Sequence, residues 1–300
     1  MHDVSIIIVN YNTPHLVVGC INSIKRHTRN VDYEIIVVDN NSTGDNLHEI
    51  ESIQDISLIR SDENLGFGRA NNLGSSYASG RHLFFLNPDT ILENNAIAIL
   101  VSFLDNSNKV GACGGNLINA EKRPTHSFRR NKPSIYNEID IAFNFAFSRI
   151  IYGKNFHYNY SATPLKVAYI TGADLMIPRN VWDEVGGFSD DFFMYYEDTE
   201  LQHRINHAGY DIYNMPDARI MHLESKSFLL NVSKEKRVLE GRFVYFHKVY
   251  SKLYNRFADI SNLFLINSAT CLYYVIGKRH KAEKYKVRKC LYKEEMAKWK

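Results

Sequence analysis

The chain has 300 residues, 45% of them apolar, and a formal net charge of +3. That length allows one large α/β domain or two small ones, and the apolar share is ample for a core. So small a charge gives no broad reason to expect nucleic-acid binding. The four cysteines Cys20, Cys113, Cys271 and Cys290 lie far apart without a CxxC pair, which argues against a zinc site or a disulfide framework.

The opening Met-His-Asp-Val has no basic n-region followed by an apolar h-region, so no secretory signal is visible and a reducing cytosol is the expected compartment. The first 118 residues alternate between two periods. Val4–Val9 is β-branched and apolar apart from Ser5, Glu34–Asp39 has a similar apolar centre, Ser57–Arg60 is shorter, and His82–Leu86 follows. Such runs fit strands buried on both faces of a parallel sheet. Helical stretches at 14–28, 44–54, 68–79 and 93–106 separate them, the first opened by Thr13-Pro14 as an Ncap–N1 pair. The alternation predicts an α/β fold with a mostly parallel, doubly wound sheet. Residues 119–135 read as a long basic loop, and Ile135–Ile151 as a helix or an aromatic-lined connection. Short strands are expected at 165–170, 173–178 and 211–222, with a helix at 197–208 and helices from Ser233 onward. The apolar run Leu263–Ile276 spans roughly 20 Å as a helix, against a hydrocarbon core of about 30 Å. It also carries Asn267, Ser268 and Thr270, so it reads as a packed or interfacial helix.

Doubly wound sheets bind ligands at the carboxyl ends of their strands. There this sequence places Asn10-Tyr11-Asn12, then Asp39-Asn40-Asn41-Ser42, then a stretch from Asn64 through Gly66, Gly68, Arg69 and Asn71, then Asn87-Pro88-Asp89. Four polar clusters in succession suggest a ligand cleft. Gly66-x-Gly68-x-x-Asn71 lacks the third glycine of a dinucleotide fingerprint and follows the third strand, so a hydride-transferring dehydrogenase is not expected. The two glycines can still bring backbone close to a phosphate, with Arg69 as a cationic partner. Asp89 can take a Mg²⁺ or Mn²⁺ ion that also binds a diphosphate, although Asn-Pro-Asp-Thr equally suits a β-turn. Glu197 and Asp198 follow an aromatic run, Phe192, Phe193, Tyr195 and Tyr196, at a predicted helix start. Excluded water favours a neutral acid there and the helix N-terminus favours a charged one. A carboxylate between such influences can act as a general base near neutral pH.

The ordered set, from Val9-Asn10-Tyr11-Asn12 through Asp39, Asn64-x-Gly66-Phe67-Gly68, Asn87-Pro88-Asp89, Thr171-Gly172-Ala173-Asp174 and Gly186-Gly187-Phe188 to Glu197-Asp198-x-Glu200, resembles a family 2 glycosyltransferase of the GT-A fold, rhamnosyltransferase-like branch. It covers roughly residues 3–225. The resemblance implies a GT-A domain over 1–230, a helical extension over 231–300, and an inverting, metal-dependent transferase. Its donor would be dTDP-rhamnose or a UDP-hexose, and its acceptor a glycan or lipid-linked oligosaccharide of cell-surface polysaccharide synthesis. Asp39 would bind the nucleobase in a pocket lined by Asn10, Tyr11 and Asn12. Asp89 and His222 would ligate Mn²⁺ or Mg²⁺, Asp174 and Glu197 would lie near the sugar or acceptor, and Asp198 would be the base. Asn87 departs from the Asp of many relatives and leaves one charged metal ligand.

Two other classes stay open. A nucleotidyltransferase would want a Gly-rich, basic triphosphate loop in the first βα turn, which Asn10-Tyr11-Asn12-Thr13 does not supply. A catalytically silent binding protein of this fold is opposed by the joint presence of Asp39, Asp89, Asp198 and His222. Residues 278–300 carry ten Lys and Arg against Glu283, Glu294 and Glu295. This tail suits either contact with anionic lipid at the inner face of a membrane or a solvated helical face. The helices also leave room for a homo-oligomer.

Overall fold

The computed structural model describes residues 2–43, 47–223 and 232–299. Its elements begin with β1 (Val4–Asn10), α1 (Pro14–His27), β2 (Tyr33–Asp39), α2 (His48–Glu51), β3 (Ser57–Arg60), α3 (Phe67–Ser76), β4 (His82–Leu86), β5 (Thr90–Leu92) and α4 (Ala96–Asp105). There follow β6 (Val110–Ile118), β7 (Phe128–Arg129), α5 (Ile135–Ala142), α6 (Ala146–Tyr152), β8 (Leu165–Lys166), β9 (Tyr169–Ile170), β10 (Asp174–Pro178) and α7 (Arg179–Val185). The chain then forms α8 (Glu197–His207), β11 (Asp211–His222), α9 (Val232–Val249), α10 (Lys252–Val275) and α11 (Arg279–Lys298). Of the predicted helix at 44–54, residues 44–46 lie outside the described residues, and α2 is shorter than expected.

The main sheet runs β3-β2-β1-β4-β10-β6-β11-β5. Its first four strands are parallel, in register from Val4 opposite Tyr33 to Asn10 opposite Asp39. Beyond β4 antiparallel pairs enter, because β10 runs against both β4 and β6 and β5 runs against β11. Every residue of β1 is buried. Ile6 and Ile8 pack with Val17, Ile21 and Leu100 on one face, while Ile7 packs with Phe85, Trp182 and Leu201 on the other. A strand covered on both sides needs this continuous apolar run. The order reverses direction between β1 and β4, and at such a switch point the strand ends open a crevice.

Two strands carry no clear sequence signal. β5 is three residues long, and β6 contains Gly111, Gly114 and Gly115, which weaken a strand on their own. The glycines answer to packing. A Cβ at Gly111 would lie 2.5 Å from Ile205 and Tyr210, and one at Gly115 would lie 2.4 Å from the Ala218 carbonyl. Within residues 119–135 the chain makes a bridge between Ile118 and Pro124 and then β7, and Ile135–Ile151 resolves into α5 and α6.

The three last helices pack on the sheet domain through a buried ion network. Arg242 of α9, 3% exposed, pairs with Glu138 of α5 and at 3.2 Å with Asp259 of α10, and the Tyr292 hydroxyl donates to Asp259 at 2.7 Å. The apolar run 263–276 falls largely in α10, where Ile266 is buried and Phe264 and Leu272 are exposed. Among the described residues no helix is long and apolar enough to cross a membrane.

Candidate active site

The ends of β1 and β2 are tied together by side chains. Asn10 donates to Asp39 at 2.8 Å and to Ser42 Oγ at 3.1 Å, and the other Asp39 oxygen accepts the Ser42 N–H at 3.2 Å. Asn12, in the left-handed region at φ 58°, donates its N–H to Ser42 Oγ and accepts from the Thr43 N–H at 2.7 Å. Asn10 and Asp39 are buried and line no cleft themselves, so they brace the strand ends from within, while Tyr11 is exposed. Asn40 fixes the next loop. Its amide donates to Asn64 Oδ1 and to the Gly66 carbonyl, and its oxygen accepts the Leu65 N–H at 2.8 Å. Tyr11, Asn40, Asn64, Gly66, Asn87 and Asp89 line one open cleft of about 530 Å³.

Asp89 leaves β4 through the Asn87 turn, whose carbonyl accepts from Thr90 Oγ1 at 2.7 Å. Pairing of β5 with the end of β11, with Thr90 opposite His222, brings His222 Nε2 to 3.2 Å from Asp89 Oδ1. Both side chains are largely buried. One carboxylate oxygen beside one imidazole fits a Mn²⁺ or Mg²⁺ ion that takes its other ligands from a diphosphate and water. Among the described residues no group of three or more His, Cys, Asp or Glu gathers to hold an ion unaided.

A second cleft of about 340 Å³ meets the first at Phe67, Asn87 and Met194. Its walls include Thr171, Gly172, Tyr195, Glu197, Asp198 and His222. Tyr195 and Tyr196 both sit in the left-handed region, at φ 72° and 70°, a conformation costly for aromatic residues and concentrated at functional sites. This turn starts α8 and aims the two carboxylates. Asp198 accepts the Gly172 N–H at 2.7 Å on one oxygen, and the Thr199 N–H at 2.7 Å and hydroxyl at 3.2 Å on the other. Burial raises its pKa while these donors oppose the rise. Glu197, 5% exposed, leaves Oε2 without a protein partner. Burial first, and the charge of Asp198 second, push it up to about 8. The pair is therefore divided: the hydrogen-bonded Asp198 is the better anion and Glu197 the better proton holder.

Of the other residues singled out in the sequence, Asp174, Gly68, Arg69 and Asn71 line neither cleft. Asp174 is wholly buried on β10, accepts the Gly115 N–H at 2.6 Å, and is held well above the carboxylate range by burial. It lines neither cleft. The Arg69 Nε donates to the Leu65 carbonyl, and the Asn71 amide donates to the Phe67 carbonyl inside α3. The glycines serve close packing. A Cβ at Gly66 (φ 79°) would lie 2.1 Å from the Phe193 carbonyl, which accepts the Phe67 N–H at 2.9 Å, and one at Gly68 would lie 3.0 Å from Phe188. The start of α3 is thus capped by the protein itself. Met194 and Arg237 join the walls without a sequence signal, since each depends on tertiary contact, whereas Thr171 stood within the quoted Thr171-Gly172-Ala173-Asp174. Asn40 stood within a quoted cluster, and its place beside Asp39 was the signal that could have found it.

Comparison with known proteins agrees with this geometry. The glycosyl transferase family 2 model matches residues 5–182. The chain is 25% identical over 268 residues to the low-salt glycan biosynthesis hexosyltransferase Agl10 of Haloferax volcanii, covering 88% of this chain and 77% of the relative. It is 25% identical over 219 residues to the dTDP-rhamnosyl transferase RfbF of Shigella flexneri, covering 72% and 67%. Among solved structures, the mannosyltransferase PcManGT from Pyrobaculum calidifontis in complex with GDP-Man and Mn²⁺ matches with a TM-score of 0.61 at 16% identity, covering 99% of this chain and 85% of that one. The likeness in fold places the chain in the GT-A class. With more than half its length matched and two joined clefts at the strand ends, the chain belongs to glycosyl transferase family 2, with rhamnosyltransferase-like relatives.

Proposed function

We propose that this chain moves a sugar, with inversion, from a nucleotide-diphosphate donor to a hydroxyl of a glycan or lipid-linked acceptor. The junction of the two clefts at Asn87 carries the reading: the Asp89–His222 pair borders one cleft and the Glu197–Asp198 pair the other. The nucleotide lies between Tyr11 and the Asn40–Asn64 loop, beside the strand ends that the Asn10–Asp39 bond holds together. The acceptor enters past Thr171 and Tyr195. Asp198 takes the proton of the attacking hydroxyl as the new bond to the anomeric carbon forms on the face opposite the departing diphosphate. Gly172 and Thr199 fix the orientation of that carboxylate. Glu197, protonated near neutral pH, donates to an acceptor oxygen. Asp89 and His222 would hold a divalent cation, which when bound supplies Lewis-acid stabilisation of the diphosphate charge.

The donor is dTDP-rhamnose or a UDP-hexose, in keeping with the activities named for the relatives. The exposed Leu253, Phe257, Ile260 and Phe264 recur along one side of α10 beside the basic α11, which supports docking on an anionic membrane that carries the acceptor. A panel of sugar nucleotides tests the donor reading. One of these two classes should turn over with Mn²⁺ or Mg²⁺, lose activity in EDTA and regain it with added metal. Undiminished transfer in EDTA removes Asp89 and His222 from their role, and no donor turnover or hydrolysis would leave a silent binder.

A further inference from the structure

We propose that Arg237, on the helical extension outside the matched family region, is a donor-binding residue that grips the diphosphate. The inference rests on the donor reading above. Arg237 lines the donor cleft, where among the described lining residues it is the one Lys or Arg side chain, and Asp89 is the one carboxylate. It is half-buried, with its guanidinium 4.5 Å from the centroid of the Phe193 ring. Phe193 precedes Met194, which borders both clefts, so the ring that holds Arg237 belongs to the segment that forms their junction.

Its own helix does not compete for it. Glu235 pairs with Arg288 at 3.2 Å, and Glu240 faces Lys298 at 3.9 Å. The ring holds the planar group by a cation–π contact and leaves its edge free to donate, which suits bidentate binding of phosphate oxygens. The backbone under that ring is pinned as well, since the Phe193 carbonyl accepts the Phe67 N–H and abuts Gly66. Charge supports the assignment. A diphosphate in sugar linkage carries about two negative charges and gains a third on leaving, and among the described lining residues the cleft offers only the single acid Asp89 toward a metal. A fixed cation counters the surplus where it develops.

The test uses the full chain with Mn²⁺ present and measures calorimetric affinity for UDP, dTDP and GDP and for the matching monophosphates. The wild type should prefer one of the diphosphates. Arg237→Ala should weaken that diphosphate by about 10- to 100-fold, the scale of a lost charge-assisted hydrogen bond, with the monophosphate changed far less. Arg237→Lys should recover part of the loss. Arg237→Gln keeps a stem over Phe193, so that a folding defect in the alanine variant does not decide the matter. Unchanged diphosphate affinity in a folded Arg237→Gln or Arg237→Ala protein overturns the role of Arg237 alone. A wild type that binds none of the nucleotides overturns the donor reading together with it.

Discussion

At the end of the cleft proposed for the nucleotide, position comes from backbone ladders. Asn10 and Asp39 are register partners on adjacent parallel strands, and the bond between their side chains follows from the pairing of β1 and β2. At the acidic end, position comes from side chains of distant elements. Phe192 and Tyr196 pack against Tyr245, Phe246 and Tyr250 of the C-terminal helices, and the Tyr195 carbonyl lies where a Cβ at Gly241 would come within 2.3 Å. The first kind of site is stiff because the sheet is stiff. The second is held at high cost, with two left-handed tyrosines and an acid driven up by burial, and it stays in place only while the helices press on it.

That contrast can be broken or sharpened, beginning with the largest effect. Asp198→Asn should lower turnover by at least about 10²–10⁴-fold with nucleotide affinity and melting temperature nearly unchanged. Near-normal turnover would remove Asp198 as the base. Gly241→Ala puts a methyl against the Tyr195 carbonyl and should cost about 1–3 kcal/mol of stability. Its turnover should fall while nucleotide affinity holds, and equal losses in both would show that the two ends are not separately supported. The smallest effect concerns pH. Glu197 has a raised pKa in the folded state, about 8 against an ordinary 4.5. The folded chain therefore holds a proton that the unfolded chain has lost, and stability attributable to this group falls as pH rises from about 4.5 toward about 8. Glu197→Gln should flatten that decline in melting temperature, and identical slopes in the two proteins would refute the buried, protonated acid.

The same contrast explains what could be read from the residues alone. β1, β2 and β4 announce themselves as apolar runs, and the polar residues after them fall at one sheet edge by necessity. His222 was legible as the end of a strand, though its closeness to Asp89 needed β5, which is too short to signal. Asp174 was a site candidate only through the family resemblance, and the structure sets it within β10, where it accepts the Gly115 N–H. Gly66 and Gly68 looked like phosphate-loop glycines, and the same lack of a side chain instead admits Phe193 and Phe188. Arg237 could not be found from pattern, because only packing of α9 over Phe193 brings it to the cleft.

The Tyr195–Tyr196 turn also has a consequence in time. A chain is synthesised from its N-terminus, and early segments begin to fold before later ones exist. The bonds of Asn10 to Asp39 and of Asn40 to Asn64 join residues that all precede the acidic segment, whereas the Phe67 N–H and the Asn87–Asp89 turn still wait for Phe193, Ala173 and β11. The tyrosine turn must wait for α9 to emerge and dock, because Gly241 and Tyr245 are part of its mould. A nascent chain can therefore join the ends of β1 and β2 before the turn that carries Glu197 and Asp198 has the helices it packs against.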